Sequence, residues 1–482
     1  MTPAKDHRVP PDPSQVKVSP NHPTSFTVSA EKQRLGFKEK LSYGLGDTAS
    51  NLYFQAFNLF LFYYYTDVFG LSAAAVGTLM LVTRVLDAAL DPLMGIAADR
   101  TTSRWGKFRP YILWGALPFG VLGYVMFANP ALGPGGKLAY AYVTYSLMWV
   151  AYTAINIPYS ALMGVMSPSS ADRTSLATYR FVCAFGGGFA IQGLTLPLTQ
   201  ALGHGNVAEG FSRTMAIFAV VSVALFLNTF ANTRERVVPP AGQSASVRAD
   251  LRSLGANGPW LILFFAAFSN LVNVAIRNGS LIYYFKYVVG DESRFTLFST
   301  SGTVAFIIGA LSTKLFLRLI ARRHLMIGLT VTNALSLAAF YFVEPRNFTA
   351  LFWLNIVSSF LAGPTPALVW SMYADTADYG EWQSGRRCTA LVFAAVVFAQ
   401  KIGLAVGSAM LGWLLSYSGF VANAVQNADT VRAISLMFSL IPAGFALLSG
   451  ASLVFYRLDE PKMKAIELEL GARKAAVGAA GA

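Results

Sequence analysis

The sequence predicts an all-α membrane protein: twelve transmembrane helices in two six-helix bundles. Three observations lead there. Of 482 residues, 54% are hydrophobic and only 13% are charged, about half the charged share usual in soluble chains. The apolar residues gather into about twelve runs, Leu52 to Phe69, Tyr111 to Phe127 and Ile434 to Val454 among them, each near the roughly twenty residues that span a hydrocarbon core. Near the middle, the polar and basic stretch 232–258 contains Pro239, Pro240 and Gly242, whereas most other connections are short.

Residues 1–37 carry Pro10, Pro11, Pro13, Pro20 and Pro23 among scattered charges and no apolar signal-peptide core, so they read as a disordered cytosolic tail. Within an N-terminal bundle of 38–231, spans are expected at 44–68, 72–98, 110–128, 137–163, 175–201 and 211–231. Residues 232–258 form the cytosolic linker. A second bundle, 259–456, takes spans at 259–287, 294–318, 323–343, 349–373, 386–417 and 430–456, leaving 457–482 as a cytosolic tail. Two six-helix halves in parallel arrangement place a binding site at their interface near the midplane.

The net charge of +13 does not point to nucleic acid, because the bases sit in short loops between spans. Arg100, Arg104, Lys107 and Arg109 follow the second span, Arg234, Arg236, Arg248 and Arg252 the sixth, and Arg318, Arg322 and Arg323 the eighth. With both termini cytosolic, these even-numbered connections all face the cytosol, as the positive-inside rule requires. The only cysteines, Cys183 and Cys388, lie in or beside apolar segments and suggest neither a disulfide framework nor a metal cluster.

A charge at the centre of a membrane helix costs about 2.5–3.5 kcal/mol, so ionisable residues there are functional candidates. In span two, Arg84, Asp87 and Asp91 share one face by their spacing. Two carboxylates so close would share a proton or a sodium ion, or else belong to an interhelical ion-pair network. Span one carries Asp47, Asn51, Gln55 and Asn58 as one polar stripe on an aromatic helix, which fits the wall of an aqueous cavity or interhelical hydrogen bonding. Tyr152, Thr153, Asn156 and Ser160 repeat the pattern in span four, and Arg180 enters span five. Amides, hydroxyls and aromatic faces suit a sugar. Asn270, Asn273 and Arg277 share a face in span seven, and Lys401 stands alone in span eleven as a counter-ion, a snorkelling base or a substrate contact.

The loop from Asp99 through Arg104 to Arg109 reads as an interdomain latch or a topogenic signal rather than a nucleic-acid or headgroup patch. That basic connection recurs, weakly, after span eight, and the loops after spans four and ten each carry acids followed by arginines: Asp172-Arg173 in one, and Asp375, Asp378 and Glu381 before Arg386 and Arg387 in the other. The gating set expected here is Arg84, Asp99, Arg104, Arg109, Asp375 and Asp378. No HExxH, GxSxG or P-loop sequence is present, and Gly186-Gly187-Gly188 falls in an apolar span, so no enzyme and no cofactor are expected.

Several long stretches resemble a known family. They are Lys40-Leu-Ser-Tyr-Gly-Leu-Gly-Asp47, Phe62-Tyr-Tyr-Tyr-Thr-Asp67, Asp87-Ala-Ala-Leu-Asp91-Pro-Leu-Met-Gly95, Arg104-Trp-Gly-Lys-Phe-Arg-Pro110 and Asn156-Ile-Pro-Tyr159. Tyr284-Phe-Lys-Tyr-Val-Val-Gly290, Asp378-Tyr-Gly-Glu381 and Arg387-Cys388 extend the likeness over most of 38–456. Together they resemble the glycoside-pentoside-hexuronide cation symporters, the family of melibiose permease, of major facilitator fold. That resemblance implies a sugar or glycoside symporter of the bacterial inner membrane, driven by H+ or Na+, with no metal beyond a possible Na+.

By the same resemblance Asp87, Asp91 and Thr153 match cation-site residues, Tyr152 a sugar-site tyrosine, Arg84 and Arg180 functional arginines of the cavity, and Lys401 the lysine of span eleven. The expected substrate-binding set is Asp47, Asn51, Gln55, Asn58, Tyr152, Asn156, Ser160, Arg180, Asn273 and Lys401. Asn51 and Asn156 stand where melibiose permease has sugar-binding aspartates, and Ser160 where it has a stacking tryptophan, which implies a sugar other than melibiose: loss of two acids eases an anionic sugar such as a uronide or glucuronide beside Arg180, while pentosides and other neutral glycosides stay open. Leu90 replaces an asparagine beside the sodium site, which favours protons. A lysophospholipid carrier or a non-transporting sensor on the same scaffold are the rival readings; neutralising Asp87 and Asp91 would leave a sensor intact.

Overall fold

The computed structural model describes residues 35–167, 169–236, 254–385 and 389–480. Most of the expected N-terminal tail and of the expected linker, together with Arg386, Arg387 and Cys388, lie outside them. Every regular element among the described residues is helical. Helix α1 (Phe37–Ala56) continues through two π-helical turns, Phe57–Leu61 and Tyr64–Val68. After it come α2 (Ala73–Arg100), α3 (Arg109–Val125), α4 (Pro134–Met166), α5 (Ser170–Gly203) and α6 (Val207–Asn232). Helix α7 (Gly258–Tyr283) ends in a π-helical turn, Tyr284–Val289, before α8 (Arg294–Leu311), α9 (Thr313–Leu317) and α10 (Arg322–Ala339). Then follow α11 (Phe348–Ala362), α12 (Thr365–Ser384), α13 (Thr389–Tyr417), α14 (Ala428–Phe438), α15 (Leu440–Val454) and α16 (Glu460–Ala480).

Among the described residues seven helices begin on a side-chain cap. Ser72, Ser169, Asn206, Asn257, Asn347, Asn427 and Asp459 accept from the backbone N–H three residues on, each cap worth about 1 kcal/mol over alanine. Span boundaries differ from expectation where polar turns are paid off by partners. Helix α1 starts at Phe37 rather than 44 because Glu39 pairs with Arg236 at 2.7 Å and Lys40 with Asp172 at 3.0 Å. Hydropathy registers none of that. The hydrogen-bonded Glu39 carboxylate also holds the Arg236 guanidinium above its ordinary pKa. The expected span at 349–373 is broken between α11 and α12 at Gly363-Pro364, since proline has no N–H to continue the ladder.

Among the described residues, nine helical segments are long and apolar enough to cross a membrane. Helices α1, α3 and α4 are not among them: α1 carries the polar stripe, α3 has 17 residues, and α4 is rich in tyrosine.

Helices α1 to α6 pack on one another, as α7, α8, α10, α11 and α13 to α15 do. The two groups meet where α2 crosses α13, α5 crosses α8, and the π turn after α1 touches α7. At the first crossing a Cβ on Gly77 would lie 2.9 Å from Ala409 O, and one on Gly412 only 2.4 Å from Ala73 O; only glycine lets the backbones come this close. One aromatic-rich core runs continuously across both groups at the end where α1, α7 and α13 finish. A separate core, which includes Met463, Ile466 and Leu470 of α16, lies in the second group. The expected C-terminal tail is thus largely a docked helix: Trp382 Nε1 donates to Glu469 at 2.7 Å.

Candidate functional site

The i, i+4 spacing of Asp87 and Asp91 turns both carboxylates toward α4 and α13. Thr153 Oγ1 of α4 donates to Asp87 Oδ1 at 2.6 Å and approaches Asp91 Oδ1 at 3.3 Å. From the other helix group, Lys401 Nζ of α13 reaches Asp87 Oδ2 at 2.9 Å and Asp91 Oδ2 at 2.5 Å. The Asp87 side chain is fully buried; those of Asp91 and Lys401 are 26% and 17% exposed. The lysine ammonium therefore stands between the two acids as a monovalent cation would, and the pair is a bridge between the groups. Lys401 belongs to this cluster by its contacts, although the sequence grouped it with the sugar residues. Among the described residues no three His, Cys, Asp or Glu side chains gather as a metal site.

Arg84, one turn earlier on α2, is 5% exposed and lies over Trp149, 3.7 Å from the ring centroid, with Phe54 at 5.9 Å. It faces aromatic rings rather than an anion. Cation–π contact of this kind is worth about 2 kcal/mol or more when desolvated.

Along α1, Asp47 pairs with Arg180 of α5 at 2.8 Å, and the guanidinium also lies over Tyr159 at 5.0 Å. Tyr43 and Tyr159 stack at 4.7 Å, and each hydroxyl donates to the other residue's carbonyl, at 3.2 and 2.6 Å. Asn51, Asn58 and Asn156 each donate an amide N–H to the carbonyl four residues earlier, at 2.8–3.0 Å. Ser50 donates to Asn156 Oδ1 at 2.8 Å. Tyr152 packs on Trp149 at 5.0 Å, Asn273 is 4% exposed with Oδ1 unpartnered, and Ser160 is exposed.

Gln55 faces a different space. A cavity of about 350 Å³ lies between the groups, lined by Gln55, Gln192, Asn278, Asn355 and Arg277 with phenylalanines of α5 and α8. Three of those amides were not singled out in the sequence. Gln192 and Asn355 are lone amides in apolar runs, Asn278 directly follows Arg277 and falls off the face that Asn270, Asn273 and Arg277 share, and no spacing signal joins helices five, seven and eleven.

Further along α1 and α7 from the cavity's Leu59 and Leu281 lies an unforeseen cluster. Asp67, its side chain fully buried, accepts from Lys286 Nζ at 2.8 Å, from Thr66 Oγ1 at 2.8 Å and from the Tyr287 hydroxyl. Asn423, after α13, accepts from Lys286 at 2.7 Å and donates to Asp67 O at 2.6 Å. Thr66 and Tyr283 hydroxyls lie 2.5 Å apart. The two π-helical turns that face each other here are related by a shift of 220: Tyr63-Tyr-Tyr-Thr-Asp-Val-Phe-Gly70 and Tyr283-Tyr-Phe-Lys-Tyr-Val-Val-Gly290, each ending on a glycine of positive φ. That repeat was the available signal.

At the opposite end, the polar contacts described stay within one group. Arg109 donates to Phe230 O at 2.7 Å and Arg104 stacks on Trp105 at 4.2 Å, while Asp375 pairs with Arg322. Asp378 lies half-buried on α12 and Asp99 ends α2; the Asp99 side chain is outside the described set. The loop's fastener is Glu235, which accepts the backbone N–H groups of Lys107, Phe108 and Arg109 at 2.9, 2.7 and 3.1 Å. Its signal was one acid between Arg234 and Arg236. Charge-assisted bonds contribute about 1.5–3 kcal/mol each and are not additive. Glu235→Ala is expected to destabilise the protein by about 2–4 kcal/mol, read as a lowered midpoint in thermal unfolding.

Solved structures show the same fold. A D-xylose-proton symporter matches with a TM-score of 0.64 over 89% of this chain and 98% of its own, at 12% identity. The nucleoside transporter NupG matches at 0.62 over 87% and 99%, at 13% identity. The profile of the MFS/sugar transport protein family matches residues 42–460, and the chain belongs to that family. It is 38% identical to the inner membrane symporter YicJ of Escherichia coli, over 91% of this chain and 96% of the relative. The putative glycoside/cation symporter YagG of the same organism is 38% identical over 93% and 97%. The isoprimeverose transporter of Lactiplantibacillus pentosus is 35% identical over 90% and 92%.

Proposed function

We propose that this chain is a symporter that imports a sugar or glycoside with a coupling cation across a bacterial inner membrane. The observation that carries the reading is the Asp87/Asp91 pair, held by Thr153 and bridged to the other helix group by Lys401. The names of the relatives and the family description support it. Helices α1, α3 and α4 join the nine apolar segments as spans, making twelve in two six-helix halves, 38–231 and 259–456, with cytosolic linker and termini. The arginine-rich loops then face the cytosol, and the Asp67 cluster closes the outer side.

Each of these features has a part in alternating access. With Asp87, Asp91 and Lys401 all charged, the cluster keeps one net negative charge. A proton or sodium ion neutralises it and loosens the lysine's hold on the acids, so the contact between halves changes strength with the cation. Coupling is that difference in stability between the two states. The cation proposed is H+: Asp87, Asp91 and Thr153 supply a sparse oxygen set, and Leu90 is apolar. The polar stripe from Asp47 to Asn58, with Tyr152, Asn156 and Arg180, lines the sugar's path.

The test is uptake by proteoliposomes of radiolabelled glycosides, pentosides and hexuronides under imposed proton or sodium gradients. Accumulation of one sugar under one gradient supports the reading and names the ion; no accumulation under any gradient removes it. In the same assay Thr153→Ala is expected to raise the cation concentration for half-maximal uptake about tenfold, the equivalent of roughly 1.4 kcal/mol for a lost hydrogen bond to a charged group. Unchanged cation dependence would take Thr153 out of the site.

A further inference from the structure

The cavity beneath the Asp67 cluster has a chemistry that speaks to the substrate's charge, given the symport reading above. Four carboxamides converge on it from four helices: Gln55 of α1, Gln192 of α5, Asn278 of α7 and Asn355 of α11. Two are held in place, Gln192 accepting from Thr303 at 2.5 Å and Asn355 donating to Phe298 O at 2.8 Å. Gln55, Asn278 and the neighbouring Ser359 hydroxyl make no hydrogen bond to any described residue. Polar groups sunk between helices are normally bonded, so these await a ligand or water. A carboxamide presents both donors and an acceptor, the complement of a ring carrying adjacent hydroxyls. Phe185, Phe298 and Phe306 supply apolar faces, and about 350 Å³ is at the lower end for small-molecule sites, as one or two sugar rings require.

No carboxylate and no lysine lines this space. The single ion is Arg277, and its guanidinium is already engaged, lying 4.5 Å from the Phe340 ring and 4.4 Å from the Phe438 ring while donating to Phe438 O at 2.8 Å. Arg180, on the approach, is neutralised by Asp47 at 2.8 Å. Arg84 is not among the lining residues. A sugar carboxylate brought here would leave water without an unengaged cation to meet it, which is costly. We infer that this cavity is the subsite for the sugar ring, and that it selects an uncharged glycoside over a hexuronide.

The experiment is isothermal titration calorimetry on the full chain in nanodiscs, at saturating proton or sodium concentration. The ligands are the α and β p-nitrophenyl glycosides of xylose, glucose and glucuronic acid, which share one aglycone. At least one neutral compound is expected to bind tenfold or more tightly than either glucuronide. Asn278→Ala and, as an independent probe, Ser359→Ala should each weaken that neutral ligand about tenfold at an unchanged thermal midpoint. Asn278→Arg, which supplies the missing cation, should narrow or reverse the preference. A glucuronide that binds as tightly as the neutral compounds overturns the inference and leaves symport standing, as does full affinity in both alanine variants. If neither class binds, the symport reading falls and the inference with it.

Discussion

Asp87→Asn is expected to abolish cation-driven accumulation of substrate while leaving the protein folded and in the membrane. The carboxamide cannot take up a proton and holds a cation poorly, and Lys401 keeps Asp91 as a partner at 2.5 Å. The cluster is then neutral without any cation, so the link between ion and sugar is lost. The expected loss in the concentrating rate is about 100-fold or more, the equivalent of roughly 2.8 kcal/mol. Downhill exchange should survive. Lys401→Met does the opposite: it leaves two acids without their internal cation and should steepen the dependence of sugar binding on the external one. Counterflow and gradient-driven uptake, measured side by side in proteoliposomes, separate the two effects. Accumulation by Asp87→Asn at the parent level would remove the acid pair from the coupling mechanism.

A second large effect is expected at the closed end. Asp67 is fully buried and Lys286 reaches it from the other helix group, so Lys286→Met leaves a buried carboxylate with only hydroxyl and amide neighbours. At about 3–5 kcal/mol this approaches the roughly 5.5 kcal/mol that carries a two-state equilibrium from 1:99 to 99:1. The population should therefore move toward the state open on the Asp67 side. Gln55→Cys, placed in the cavity of a Cys183→Ser, Cys388→Ser background, reports on this. A membrane-impermeant thiol reagent added from that side should label it at least tenfold faster when Lys286→Met is also present. Equal labelling would mean that the aromatic packing around Tyr63 and Tyr283, 6.0 Å apart, closes that end without the ion pair.

The length and apolar character of the runs made the helical membrane fold legible before any coordinates. The breaks were harder to read. Gly363-Pro364 sat inside an apolar run, and the π turns at Tyr64–Val68 and Tyr284–Val289 leave no mark in hydropathy. In the site, Asp87 and Asp91 were readable because a helix converts a spacing of four into one face. Lys401 was readable as a candidate counter-ion but not as theirs, since it lies more than 300 residues away in sequence and only the crossing of α2 with α13 brings it there. The same holds for the cavity amides. The loop 99–110 read as an interdomain latch or a topogenic signal; among the described residues it is Glu235, from within its own group, that accepts its backbone N–H groups. Charge counting located the loop's bases; it did not register the unpaired N–H groups at the start of α3 that attract a carboxylate.

The polar stripe of α1 also bears on how the protein is made. Acids and amides at the middle of a helix weigh against its partition from the translocon into lipid, while each leucine or phenylalanine returns only about 0.3–0.6 kcal/mol. Helix α1 carries Asp47, Asn51, Gln55 and Asn58, and the arginine that neutralises Asp47 is synthesised 133 residues later, on α5. Until α5 arrives, α1 has no partner for its charge. Insertion of this half is then a collective event, in which the nascent chain waits beside the translocon for a helix four elements downstream. The residues proposed to line the substrate's path thereby set the order of assembly.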